Sequence, residues 1–128
     1  MDKLITAFQN NILEALTIAE KAEFKPLSET ITNVVICGMG GSGIGGKMVG
    51  IWLQNELPIP LISHHDYTAP YFINENSLVI ASSYSGNTEE TLICVEQARL
   101  KGARIIGICS GGELYDFCEK HGFDMVKV

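Results

Sequence analysis

The six residues Ser83-Tyr84-Ser85-Gly86-Asn87-Thr88 bring five hydrogen-bonding side chains and one glycine together. They follow the apolar run Leu78-Val79-Ile80-Ala81 and lead into Glu89-Glu90-Thr91-Leu92-Ile93, so they read as the turn from a strand into a helix. A helix start leaves backbone N–H groups unpaired and carries a partial positive charge, which suits an anion. Serine and threonine there add neutral donors without the bulk of lysine or arginine. The guest favoured by this chemistry is a phosphate group carried by a small metabolite. A purely structural reading has Ser85 or Asn87 capping the helix. One residue suffices for that, and the stretch holds several.

A second stretch, Gly38 to Gly46, holds six glycines in nine residues and admits three phosphate-binding patterns. Gly38, Gly40 and Gly43 fit G-x-G-x-x-G, which in a dinucleotide-binding fold also needs an acidic residue at the end of the second strand. The nearest candidate is Asp66, beyond the pair His64-His65. Gly41 to Gly46 followed by Lys47 fits a Walker A loop, but Met48 stands where serine or threonine would hold magnesium. A thioether is a poor ligand for that hard cation. In the third pattern the backbone cradles a sugar phosphate, Ser42 supplying a hydroxyl and Gly41 an approachable amide. Only the third also gives the serine-rich stretch a role.

These stretches need a scaffold. Residues 2 to about 24 read as an amphipathic helix, with Leu4, Ile5, Phe8, Ile12, Leu13, Leu16 and Ala19 at three- and four-residue steps. Pro26 closes it, and its apolar stripe must lie on a sheet or on a second subunit. Five strands are expected at Asn33–Cys37, Leu61–Ser63, Ser77–Ser82, Arg104–Cys109 and Met125–Val128. Helices are expected at Lys47–Gln54, Asn87–Lys101 and Glu113–His121, the last two ended by Gly102 and Gly122. The run Val34-Val35-Ile36 is apolar at every position, the mark of a strand covered on both faces. The alternation predicts an α/β fold: a three-layer αβα sandwich around a five-stranded parallel sheet of flavodoxin-like order 2-1-3-4-5. The whole of 1–128 forms one domain, with a helical segment over 1–32 and a doubly wound core over 33–128. That order sets the loops after the first and third strands side by side at the switch point.

Composition narrows the partners. A net charge of −6 argues against nucleic acid, which needs a basic face. No apolar run of about 18 residues occurs, so no membrane span is expected, and the first residues lack the pattern of a signal peptide. Cys37, Cys94, Cys109 and Cys118 are widely spaced with no Cys-x-x-Cys pair, which disfavours a zinc or redox motif. The cytoplasm is the expected compartment. The final run, Met125-Val126-Lys127-Val128, reads as a strand, as in a domain that belongs to a longer protein. His64 and His65 read as surface or structural residues, and Glu89 and Glu90 as partners of a helix dipole. Lys47 serves a phosphate or solvent, and Trp52 belongs to core or interface.

The strand followed by Gly-Met-Gly-Gly-Ser-Gly, together with Ser-Tyr-Ser-Gly-Asn-Thr-Glu-Glu-Thr after the third strand, resembles a sugar isomerase (SIS) domain. More narrowly, Cys37 to Gly46 and Asp66-Tyr67 resemble the bifunctional phosphoglucose/phosphomannose isomerases. The resemblance implies that Gly41, Ser42, Ser83, Ser85 and Thr88 hold the phosphorylated hexose. The apolar surface expected on the first helix and around Trp52 points to a homodimer. It implies an aldose–ketose isomerase linking glucose 6-phosphate or mannose 6-phosphate to fructose 6-phosphate. Proton transfer between C1 and C2 needs a general base and neither metal nor redox cofactor. In that family the catalytic glutamate, histidine and lysine come from a second SIS domain, and an arginine just past the fifth strand helps with the phosphate. None of them has a counterpart in the part matched here. This chain is therefore expected to anchor substrate, with no catalytic residue of its own. Two other readings stay open: a non-catalytic sugar-phosphate sensor, and a nucleotide-binding Rossmann-like domain.

Overall fold

The computed structural model describes residues 2–28 and 30–128, with side chains from Ile5 onward. Leu4 of the predicted apolar stripe lies outside the described side chains. The elements run α1 (Asp2–Lys21), β1 (Asn33–Cys37), α2 (Gly40–Leu53), β2 (Leu61–His64), β3 (Ser77–Ser82), α3 (Glu89–Leu100), β4 (Arg104–Cys109), α4 (Gly112–His121) and β5 (Asp124–Lys127). All strand pairs are parallel, in the order β2-β1-β3-β4-β5 that the alternation predicts.

β1 is an interior strand between β2 and β3, and its five residues are all buried. Val35 pairs with Ile62 on one side and Val79 on the other. β3 and β4 alternate fully and partly buried positions. Val35, Val79, Val95, Ile105 and Leu114 form the core with Cys37, Cys94, Cys109 and Cys118. All four thiols are free and buried, two of them on the predicted strands.

Most element ends shift by a residue or a few from the sequence-based reading, and three of these differences carry a physical reason. α2 starts at Gly40, seven residues before the expected Lys47, so most of the glycine-rich stretch is helix. Glycine costs a helix about 1 kcal/mol per residue relative to alanine, and packing reverses the preference. Gly43 and Gly46 are the buried positions of α2, and a Cβ at Gly46 would lie 2.7 Å from Ile36 Cγ2 on β1. The helix thus lies on the sheet through its glycines and turns its large residues outward. Second, α3 begins at Glu89 rather than Asn87, with Thr88 at the N-cap position. Third, β5 runs one residue earlier than expected, Asp124 to Lys127, because buried Asp124 carries a polar tie. Its carboxylate accepts the Lys25 amide at 3.0 Å and pairs with Arg104, fastening the segment after α1 to the amino ends of β4 and β5.

The N-terminal helix does not bury its stripe. Ile5, Phe8, Ile12, Leu13 and Leu16 are all exposed, and α1 leans on the edge strand β5 with Ile18 alone half-buried among its described side chains. On α2, Ile44, Met48, Ile51 and Trp52 are exposed too, Trp52 to 76%. Trp52 is therefore not a core residue. No helix among the described residues is long and apolar enough to cross a membrane.

Two measurements check this packing. Gly46→Ala should destabilise the fold by about 1–2 kcal/mol, since the clash with Ile36 outweighs the gain in helix propensity. Gly45→Ala, where an added Cβ meets nothing within 4 Å, should stabilise it by up to about 1 kcal/mol. Urea denaturation of both variants decides the matter, and shifts of the same sign would contradict the packing described. Burial also pushes up the thiol pKa of Cys118, to about 11, and that of Cys109. Hydrogen bonding to Cys94 and then burial raise that of Cys37. The same hydrogen bond lowers that of Cys94, but all four side chains are buried. Burial should therefore leave all four cysteines of the native protein unlabelled by a thiol reagent at pH 7.5, and guanidinium should expose all four.

Candidate functional site

β1 and β3 are neighbours whose following connections lead to α2 and α3, so the two stretches singled out by their chemistry meet at the carboxyl edge of the sheet. They come together where Gly38 faces the last residue of β3: a Cβ on Gly38 would lie 2.8 Å from the Ser82 carbonyl oxygen. Gly41 and Ser42 stand in the first turn of α2, Gly41 exposed and Ser42 half-buried. No acidic residue occupies that turn, and the N-cap residue Met39 makes no side-chain cap bond. The first-turn amides of α2 therefore have neither an intrahelical partner nor a side-chain cap.

The β3–α3 connection is organised from within. Ser83 is buried, and its hydroxyl accepts the Gly86 amide at 3.2 Å and lies 2.9 Å from Thr88 Oγ1. Ser85 is exposed, and its hydroxyl accepts the Asn87 amide at 3.2 Å. Thr88 is half-buried at the N-cap of α3 without bonding the helix's own amides. Ser83 thus shapes the turn, while Ser85 and Thr88 stand nearer to solvent beside an uncapped helix start.

The expected cap on α3 is absent because Asn87 serves another helix. Its Oδ1 accepts the Glu113 amide at 3.0 Å, in the first turn of α4. The Leu114 amide bonds the Gly86 carbonyl at 2.9 Å, and the Ser110 hydroxyl donates to the Tyr84 carbonyl at 2.6 Å. Gly86 adopts a positive φ of 71°, and a Cβ there would overlap the Gly111 carbonyl oxygen. The β4–α4 turn, Ser110-Gly111-Gly112, is therefore the platform that holds the serine-rich turn. Sequence reasoning passed over it. A signal was present: the predicted helix at Glu113 is preceded by two glycines and not by a capping residue, so its cap had to come from elsewhere.

The connection after β2 borders the same edge. His64 Nε2 donates to the Thr68 carbonyl at 2.9 Å, a structural role. Asp66 accepts the Tyr67 amide at 2.6 Å, leaving it occupied by its own turn. The Tyr67 hydroxyl lies 3.5 Å from Glu89 on α3. Desolvation, then the negative charges of Glu90 and Glu89, raise the Tyr67 pKa, so the phenol remains a neutral hydrogen-bonding group at neutral pH. A concavity of about 340 Å³ is lined by Gly40, Gly43, Ile44, Lys47 and His65. Among the described residues no cluster of three or more histidine, cysteine or acidic side chains could hold a metal ion.

Residues 29–126 match the SIS domain family. The chain is 44% identical over 117 residues to the bifunctional phosphoglucose/phosphomannose isomerase of Caldicellulosiruptor bescii, covering 91% of this chain and 34% of that protein. It is 44% identical over 99 residues to the enzyme of the same name from Thermoplasma acidophilum, covering 77% of this chain and 30% of that protein. The chain thus spans about a third of the length of these curated relatives. A solved structure from Salmonella typhimurium LT2, assigned as a candidate phosphosugar isomerase, superposes with a TM-score of 0.67. It is 28% identical, and the match covers 77% of this chain and 30% of that one. A match over most of the chain, in a fold whose serine-rich and glycine-rich turns share one sheet edge, makes this chain a member of the SIS domain family.

Proposed function

We propose that this chain anchors the phosphate of a hexose 6-phosphate in an aldose–ketose isomerase that interconverts glucose 6-phosphate or mannose 6-phosphate with fructose 6-phosphate. The observation that carries the reading is the meeting of two uncapped helix starts, α2 and α3, at one sheet edge, each with hydroxyl side chains beside it. Gly41 and Ser42 bind from the first side. Ser85 and Thr88 bind from the second, with Ser83 holding the turn that carries them. Hydrogen bonds to a charged group contribute about 1.5–3 kcal/mol each. After ordering costs, several of them support binding in roughly the micromolar to millimolar range. The chemistry at C1 and C2 belongs to residues outside this chain. The C. bescii and T. acidophilum relatives, about three times as long and named as isomerases, support that division.

Calorimetric titration with fructose 6-phosphate should show binding, and unphosphorylated fructose should show none. Ser85→Ala combined with Thr88→Ala should weaken that binding at least tenfold, with thermal stability kept within about 1–2 kcal/mol. Unchanged affinity in the double variant would sink the anchoring role.

We also propose a cytoplasmic homodimer whose subunits cover the exposed apolar faces of α1 and α2. Sedimentation velocity at micromolar concentration should give a dimer, and Ile51→Glu with Trp52→Glu should convert it to a folded monomer. A wild-type monomer under those conditions excludes the assembly.

A further inference from the structure

The start of α2 lacks every local device that usually fixes a helix start. Its sequence is Gly-Gly-Ser-Gly, its N-cap residue is a methionine with no cap bond, and its first turn carries no acid. Something outside the helix must set its position, and the end of β2 supplies it.

His65 Nδ1 lies 2.6 Å from the Gly38 carbonyl oxygen, the last acceptor before the turn. A carbonyl only accepts, so Nδ1 carries the proton. Nε2 lies 3.1 Å from Ser63 Oγ, which itself reaches the Gly43 carbonyl at 3.5 Å. The ring rests against Gly43, where an added Cβ would lie 2.7 Å from both Cε1 and Nδ1. One imidazole therefore touches both ends of the 38–43 turn, by hydrogen bond at Gly38 and by contact at Gly43. The Gly38 amide also bonds the His64 carbonyl at 3.2 Å, so the backbone of β2 grips the same point. Both ring nitrogens thus have a hydrogen-bonding neighbour, Gly38 on one side and Ser63 on the other.

We propose that His65 is the positioning residue of the β1–α2 turn: its Nδ1–H holds the Gly38 carbonyl and thereby sets the first turn of α2, where Gly41 and Ser42 stand. Its consequence for ligand binding rests on the sugar-phosphate reading above, but the clamp itself does not. Asparagine and glutamine separate the clamp from bulk effects. Asn Nδ2 can reproduce the Nδ1 donor, whereas Gln Nε2 extends along the other edge of the ring.

Amide hydrogen exchange on the ligand-free protein tests the clamp directly at Gly43, whose amide bonds the Met39 carbonyl, and at Ile44. His65→Ala and His65→Gln should raise exchange there about tenfold, and His65→Asn should restore it to within about threefold of wild type. Fructose 6-phosphate affinity should fall about five- to tenfold in the Ala and Gln variants and be retained in Asn. The double variant Ser85→Ala, Thr88→Ala should lose affinity with exchange at Gly43 and Ile44 unchanged. Wild-type exchange in His65→Ala, or an asparagine variant that behaves like alanine, overturns the clamp. A wild-type protein that ignores fructose 6-phosphate overturns the sugar-phosphate reading and leaves the exchange result to decide the clamp.

Discussion

Where the β3–α3 turn crosses the β4–α4 turn, the backbone of Gly86 meets the backbone of Gly111. Gly86 packs on the Gly111 carbonyl, the Leu114 amide bonds the Gly86 carbonyl, and Asn87 caps α4 from across the gap. This crossing sets the direction in which α3 leaves the sheet, and with it the position of Ser85 and Thr88. A side chain at Gly86 would push the two turns apart and strain the hydrogen bonds that join them. The hydroxyl groups of the candidate site are thus placed by a contact that involves none of them. Preorganised donors of this kind bind an anion without the cost of ordering a loop.

The charge of the chain puts a second constraint on the site. A chain of net charge −6 repels a phosphate at long range, but that field is screened within about 8 Å at physiological salt. Local donors act inside that distance, and each charge-assisted hydrogen bond outweighs the screened repulsion. Neutral hydroxyls and backbone amides suit this setting, because they need no counter-charge when the site is empty. Glu89 and Glu90 lie in the first turn of α3, where they satisfy the helix dipole in the absence of ligand. Lys47 is the exposed cation of the neighbouring concavity.

The sheet was legible because its signals are local. A run such as Val34-Val35-Ile36 belongs in the middle of a parallel sheet, and punctuation at Gly102 and Gly122 ended the two helices as expected, both with positive φ. The start of α2 was not legible. Six glycines in nine residues argue for a loop by propensity, and only the proximity of Ile36 and His65 shows why the helix must have no side chains on that face. The role of Asn87 was hidden for a similar reason. A cap that serves a helix 26 residues away has no local spacing to betray it. His65 was read as surface or structural from its place beside His64, and its clamp on Gly38 depends on parallel pairing across the β1–β2 boundary. What sequence conveys is the type of each element. What it withholds is which distant atom each turn leans on.

α2 inverts the usual order of an amphipathic helix, with glycine on the inner face and isoleucine, methionine and tryptophan on the outer one. Burying glycine brings the helix axis close to the sheet but contributes little apolar area of its own. Most of the hydrophobic stabilisation available to α2 therefore lies on the face left open, where Ile44, Met48, Ile51 and Trp52 project. The same helix carries Gly41 and Ser42 in its first turn. Its first turn is held by neighbours at the sheet edge, and its remaining length gains only when something covers the outer face. The proposed binding at the amino end and the proposed association along the side would thus draw on one weakly self-sufficient helix. A covered α2 would present a more rigid first turn to its ligand, and a bound ligand would order the helix for its cover.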